Sequence, residues 1–473
     1  MGKYYVTTTL PYVNDSPHIG FALEIVQADV LARWHRLLGD EVVFNFGTDE
    51  HGQKIYQKAL EQKKEPKAYC DEYAAKFDGL KKTLNLSYTT FIRTTDEHHV
   101  KAAQEFWTRC EKNGDIYKSK YKIKYCVGCE LEKTDSELVE GKCPLHPNRD
   151  LEIREEENYF FRFSKYQDQL LNFYENYPDF VKPVSKYTEI KAFVSGGLQD
   201  FSVSRLKSKM PWGIEVPGDP TQVMFVWFDA LINYISTLGW PENQKNFTDF
   251  WPGVQMAGKD NLRQQTAMWQ AMLMSAGLPN SKQVFIHGFL TLNGQKISKS
   301  LGNTVDPVEL AVKYGTDAVR YYLLAKIHPW EDSDFTIPKF EVTYNADLAN
   351  GLGNLVARVA KLAEKANLKF EILNLKSNQN LQNLNKYLNN YRFDEAVKLI
   401  WEEIAKTNNL IDEKRPWKLT GGELKKTMEP IAAEVVKIGY LLRPFLPETA
   451  EKIIKQFSED KIISGLPLFP RIK

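Results

Sequence analysis

Residues 4–39 read YYVTTTLPYVNDSPHIGFALEIVQADVLARWHRLLG. The run 4–10 is strand-like and residues 11–17 form a Pro/Asn/Asp/Ser loop. From Phe21 onward Ile25, Val26, Val30, Trp34, Leu37 and Leu38 recur at helical spacing, with Gly39 placed as a stop. The first N–H groups of such a helix lack intrahelical partners and carry the positive end of its dipole. The imidazole of His18 therefore falls where a phosphate is naturally held. Further strand-like runs at 42–46, 254–257 and 284–287 alternate with long amphipathic segments, the pattern of an α/β protein with a doubly wound parallel sheet. In such sheets ligands gather beyond the carboxyl ends of the strands. Asp49 follows the second run, and Gly258 and Asp260 the third. A carboxylate there can hold an ammonium group, and a glycine lets a ribose approach a carboxylate that accepts its hydroxyls. The plainer reading of Asp49 is a loop acid closing a local turn. No GxGxxG occurs, which weighs against a dinucleotide enzyme.

Past mid-chain, Lys296-Ile297-Ser298-Lys299-Ser300 sets two lysines and two serines between Gly294 and Gly302, outside any helical pattern. Cations on a loop suit a leaving pyrophosphate. Between these segments, Cys126-Val127-Gly128-Cys129 and Cys143-Pro144-Leu145-His146 stand thirteen residues apart. That is two-knuckle spacing for a structural, closed zinc site, one ion per chain. A redox Cys-x-x-Cys is the rival, and it leaves the second pair unexplained. Cys70 and Cys110 read as core thiols.

The 473 residues predict about three domains. With 26% charged and 43% hydrophobic residues the composition is that of a soluble globular enzyme. Net charge is +1, but residues 351–473 hold 21 Lys/Arg against 15 Asp/Glu, a basic tail suited to RNA phosphates or, more plainly, a solvated helix surface. No run of 18 apolar residues and no signal-peptide pattern occurs, and five cysteines without a disulfide framework fit a reducing compartment; a cytoplasmic protein with no membrane contact is expected.

The His18-Ile19-Gly20 and Lys296–Ser300 segments, in this order, resemble the two ATP-handling motifs of class I aminoacyl-tRNA synthetases. Blocks in family order narrow the resemblance to the methionyl-tRNA synthetases: Leu10-Pro11-Tyr12-Val13-Asn14, Phe46-Gly47-Thr48-Asp49-Glu50-His51-Gly52, Val226-Trp227-Phe228-Asp229-Ala230, Gly258-Lys259-Asp260, Phe285-Ile286-His287-Gly288 and Arg415-Pro416-Trp417. The resemblance implies a Rossmann-like catalytic domain with a zinc-binding insertion and a C-terminal all-α bundle. Its expected parts are 1–114 and 216–290 (the two catalytic halves), 115–215 (insertion), 291–340 (lysine loop and stem contact) and 341–473 (anticodon binding). It implies activation of L-methionine by ATP, with Mg²⁺, to methionyl-adenylate and pyrophosphate. Methionine then passes to the terminal adenosine of tRNA(Met), elongator and initiator alike.

The resemblance assigns catalysis to His18, Lys296 and Lys299, and ATP binding to these with Gly20, Gly258, Asp260 and Ser298. It assigns methionine to Leu10, Tyr12, Asp49, Trp227, Ala230, Tyr234 and His287. Methionine is an unbranched thioether and demands a fitted apolar pocket with aromatic contacts. Trp227, Ala230 and Tyr234 are spaced to share a helix face. Such a pocket separates a chain one methylene shorter by only ~1–3 kcal/mol, so homocysteine calls for chemical editing. Asn354, Arg358 and Trp417 are the implied CAU anticodon readers; taken bare, Arg358 is a surface charge and Trp417 a helix-packing aromatic. A further C-terminal RNA-binding module of some relatives has no counterpart here, and a monomer is expected.

The chain departs from the family pattern in places. Phe21 replaces a second histidine, Ile297 the common Met, Leu231 a Pro, and Gln264-Gln265 a Phe-His pair. Synthetases for valine, isoleucine, leucine or cysteine are rivals, the branched-chain ones usually with larger editing insertions. A non-catalytic RNA-binding paralogue is the other rival, against which Asp49 and the lysine loop stand.

Overall fold

The structure is a computed structural model and describes residues 2–129, 131–133, 137–297, 303–368, 379–458 and 461–472. The chain divides into two units, each assembled from three stretches: Met1–Ser16, Asp40–Gly79 and Tyr88–Ile286 in the first, and Pro17–Gly39, Leu80–Ser87 and His287–Lys473 in the second.

The first unit is built on a six-stranded sheet of β1 (Lys3–Thr7), β2 (Glu41–Thr48), β3 (Thr90–Arg93), β4 (Val181–Lys182), β5 (Val254–Gly258) and β6 (Gln283–His287), in the order β3-β2-β1-β5-β6-β4. β1 runs parallel to β2 and β5, β2 to β3, and β4 to β6, as the alternation of strands and amphipathic segments predicts. Thr7 pairs with Asn45 on one side and Gln255 on the other, so the ends of β1, β2 and β5 are in step. Gly47 is obligatory: a Cβ there would lie 1.8 Å from the carbonyl oxygen of Ile92 on β3. The core against the sheet is aromatic, with Phe106, Trp107, Trp240, Trp251 and Trp269 buried together. The sequence reading missed β3 and β4, whose four and two residues are too short to show a period. β4 lies within the stretch 115–215. That stretch also carries the long antiparallel ladder Ile116–Cys126 with Glu152–Phe161, in register from Ile116↔Phe161 to Tyr125↔Glu152.

The second unit begins with α1 (Ile19–Leu38), closed by Gly39 at φ 93°, the left-handed stop that the sequence predicts. The burial of α1 goes beyond the apolar positions that its spacing marks. The helix is buried on all sides through its middle, Glu24, Gln27 and Asp29 included, while Leu37 and Leu38 are exposed. Asp29 meets Arg33 at 2.7 Å, Arg320 at 2.8 Å, and the backbone N–H and hydroxyl of Ser87 at 2.6 Å each. Burial opposes ionisation of Asp29, but the two guanidinium charges and the Ser87 bond outweigh it and hold the carboxyl below its ordinary range. Helices Thr316–Ala325, Asn354–Lys365, Phe393–Lys414, Gly421–Leu442 and Pro447–Ser458 form most of the remainder. Pro447 opens the last of these at a position where a missing N–H costs nothing.

Candidate functional site

In the first unit the methionine candidates are tied to the strand ends. Asp49, just past β2, donates its backbone N–H to the carbonyl of Pro11 and accepts at its own carbonyl from the N–H of Val13, so its backbone pairs with the segment of Tyr12 beyond β1. Its side chain is buried, with the Thr94 hydroxyl 3.5 Å from one oxygen. Neighbouring Glu50 is fully buried and engaged by Arg93, Thr48 and Thr95. Leu10 and Tyr12 are half-buried.

Trp227 and Ala230 lie on helix Val226–Leu231, but Tyr234 belongs to the separate turn Asn233–Ser236. The helical face expected for the three is therefore interrupted, the backbone tightening at Ile232, whose N–H reaches Asp229. Tyr234 is buried and accepts a hydrogen bond at 2.6 Å from Gln265, while Tyr5 donates to its carbonyl at 2.9 Å. Gln265, noted as a departure from the family pattern, is thus a direct support of a pocket candidate, unforeseen in sequence because a lone Gln carries no spacing signal. Half-buried Trp227 has an indole N–H with no hydrogen-bond partner among the described residues. Gly258 ends β5 and is buried; Asp260 follows on the turn Lys259–Asn261, exposed and bonded to Asn261 at 3.2 Å.

In the second unit His18 is the N-cap of α1, its Nδ1 accepting from the N–H of Gly20 at 3.1 Å. A Cβ at Gly20 would lie 2.9 Å from the imidazole, so the glycine makes this cap possible. Phe21 lies against the same ring, centroids 4.3 Å apart. The N–H of Ile19 is taken by the carbonyl of Val305, which ties the start of α1 to the segment after the lysine loop. His287 is buried, with Nδ1 2.8 Å from the carbonyl of Gly288 and Nε2 2.8 Å from Glu24 of α1. Sequence reasoning missed Glu24; an acid amid apolar helix positions was its only signal.

The lysine loop springs from a hairpin. Strand Leu290–Leu292 pairs antiparallel with Gln295–Lys296 across Asn293-Gly294, both at positive φ (52° and 74°), the primed turn that Asn-Gly favours. Ile297 is buried, in keeping with the apolar replacement of Met. Ser298, Lys299 and Ser300 lie outside the described residues.

Cys126, Cys129, Cys143 and His146 converge, their ligand atoms all within 4.8 Å of one another. Sγ of Cys129 lies 3.4 Å from that of Cys143, and the three sulfurs lie 3.2–3.9 Å from Nδ1 of His146. A tetrahedral zinc with ordinary Zn–S and Zn–N bonds has ligand–ligand edges of about 3.5–3.8 Å. The donors therefore fit a closed four-coordinate metal. Gly128 is required inside the knuckle, because a Cβ there would sit 2.4 Å from the His146 ring. Cys70 and Cys110 are buried thiols, as expected, and burial pushes Cys110 up to about 12.

In the tail, Asn354 is exposed at the start of helix Asn354–Lys365. Arg358, one turn on, is not a loose surface charge: it bonds Asp412 at 2.8 Å and Asn408 at 3.4 Å. Trp417 is 46% exposed rather than packed, and with Arg358, Lys361 and Lys365 it lines a groove of ≈ 640 Å³.

The family model for class I tRNA synthetases (M) matches residues 4–150 and 147–360. The chain is 43% identical to a methionine–tRNA ligase of Nostoc sp., over 96% of this chain and 89% of that one. It is 41% identical to the Thermotoga maritima enzyme, over 99% and 80%. A solved structure of Mycobacterium tuberculosis methionyl-tRNA synthetase in complex with methionyl-adenylate matches 100% of both chains with a TM-score of 0.93 at 34% identity. Family, sheet topology and the order of the motifs agree, and the chain belongs to the methionyl-tRNA synthetases of class I.

Proposed function

We propose that this chain is a methionine–tRNA ligase, activating L-methionine with ATP and transferring it to tRNA(Met). The observation that carries the proposal is the full-length match to a structure holding methionyl-adenylate, the product of the first step. Asp49 holds the α-ammonium group, and Leu10, Tyr12, Trp227, Ala230, Tyr234 and His287 shape the side-chain pocket. Both ring nitrogens of His287 are within hydrogen-bond distance of protein groups, Gly288 and Glu24. The methionine carboxylate attacks the α-phosphorus in line, forming the acyl–phosphate bond as the bond to pyrophosphate breaks. The 3′-terminal adenosine hydroxyl then attacks the activated carbonyl and AMP leaves.

No side chain becomes covalently attached. Rate comes from positioning and from donors aimed at charge on the transferring phosphate. His18, Lys296 and Lys299 supply those donors and Mg²⁺ accompanies ATP, while Gly20, Gly258, Asp260 and Ser298 complete the nucleotide contacts. Asn354, Arg358 and Trp417 read the anticodon. Zinc, one per chain, is the proposed occupant of the Cys126, Cys129, Cys143 and His146 set, where it supplies structural cross-linking. The division into catalytic halves, insertion, lysine-loop region and anticodon-binding bundle is proposed on the same footing. No helix among the described residues is long and apolar enough to cross a membrane, and a monomeric cytoplasmic enzyme is proposed. Pyrophosphate exchange across all twenty amino acids is the test. Exchange with methionine alone is expected; a preference for valine, isoleucine, leucine or cysteine overturns the assignment.

A further inference from the structure

Asp229 sits between Trp227 and Ala230 on the six-residue helix Val226–Leu231 and is wholly buried. One carboxylate oxygen accepts from Nδ1 of His51 at 2.6 Å, the other from Nε2 of His99 at 2.8 Å. The remaining nitrogen of His99 lies 2.9 Å from the hydroxyl of Ser236. Burial opposes the ionised form of Asp229, but the charge and hydrogen bonds of the two imidazoles prevail and hold its carboxyl below the ordinary range. None of these groups has a part in the chemistry above.

Their placement gives them another. A six-residue helix closes few backbone bonds and fixes its own orientation poorly. A carboxylate withdrawn from water persists only with strong donors on its oxygens. Both donors here come from elsewhere in the chain: His51 lies two residues beyond Asp49, and His99 stands on helix Glu97–Lys112. His51 is held in turn by Trp212, 5.5 Å away edge to face, whose indole donates to the carbonyl of Glu50 at 2.5 Å.

We infer that Asp229, His51 and His99 are positioning residues that set the spacing between the ammonium-holding Asp49 and the side-chain contacts Trp227 and Ala230. The His51–Asp229 link joins the segment that grips the head of the amino acid to the helix that grips its tail. The inference rests on the methionine-site reading above. Its loss shows as weakened methionine binding with ATP binding left alone.

The test measures KM for methionine and for ATP separately, by pyrophosphate exchange on the full chain. An Asn amide nitrogen can stand in for Nδ1, and a Gln amide nitrogen for Nε2. His51→Ala is expected to raise the methionine KM by at least about tenfold with the ATP KM within about twofold. His51→Asn and His99→Gln are expected to stay within about threefold of the parent chain on both. The inference is overturned if His51→Ala leaves the methionine KM unmoved, if it raises both constants equally, or if His51→Asn is as impaired as His51→Ala. Should His51→Ala fail to fold, the two conservative variants decide it, a tenfold rise in methionine KM for either one counting against. Asp49→Asn separates the two readings. If it leaves the methionine KM unchanged, the methionine site itself is misassigned; if it raises that constant while His51→Ala does not, only the positioning role falls.

Discussion

His18 shows what single residues disclose and what they conceal. Its place at a helix start was legible from the loop before it and the spacing after it. Its actual partner, the N–H of Gly20, was not, because a cap bond depends on side-chain rotation. Lys299 is the residue on which rate should depend most. Lys299→Ala removes a cation aimed at developing pyrophosphate charge, and the expected loss is roughly 2.7–4 kcal/mol of transition-state stabilisation. Exchange should fall accordingly with the methionine KM unchanged; activity within a few-fold of the parent chain would refute the assignment. Trp417 is exposed, so Trp417→Ala should leave the melting temperature nearly untouched while removing ~1–3 kcal/mol of base stacking. The tRNA KM should rise and tRNA-free exchange stay intact. A large drop in melting temperature with unaltered preference for CAU would return Trp417 to a packing role.

At the scale of elements, the knuckle and α1 make opposite points. The four metal donors were readable from spacing alone, since tetrahedral ligation fixes both residue types and separations. Gly128 joins them for a reason only coordinates reveal, and Gly128→Ala should displace His146 and weaken metal retention. Metal analysis should find one zinc per chain in the parent and less in Gly128→Ala and Cys126→Ser; a parent chain purified without chelator that lacks stoichiometric metal removes the site. For α1 the apolar spacing marked only part of what is buried: Asp29 and Glu24 are enclosed too, bonded by Arg320 and His287, remote in sequence. Arg320→Met takes from buried Asp29 one of its two guanidinium partners and should cost about 3–5 kcal/mol of stability, read by denaturant unfolding. A change under about 1 kcal/mol would mean that Arg33 and Ser87 suffice.

At the scale of the molecule, the parallel sheet and the helical tail were legible because their strands and helices are long enough to show a period. Edge strands of two and four residues were not. Nor was the division of the chain, in which each unit draws on three separated stretches. That interleaving has a consequence for birth on the ribosome. The indole of Trp34 on α1 donates to Asn385, 351 residues further on, so at roughly 5–20 residues per second α1 emerges some 18–70 seconds before its last partners are translated. For that interval a helix carrying Ile25, Val26, Val30 and Trp34 is a sticky nascent segment, with Glu24 still without His287 and Asp29 still without Arg320, a natural client for chaperones. A chain cut after residue 286 should keep α1 in that condition permanently, digested by protease within a segment that the full chain protects.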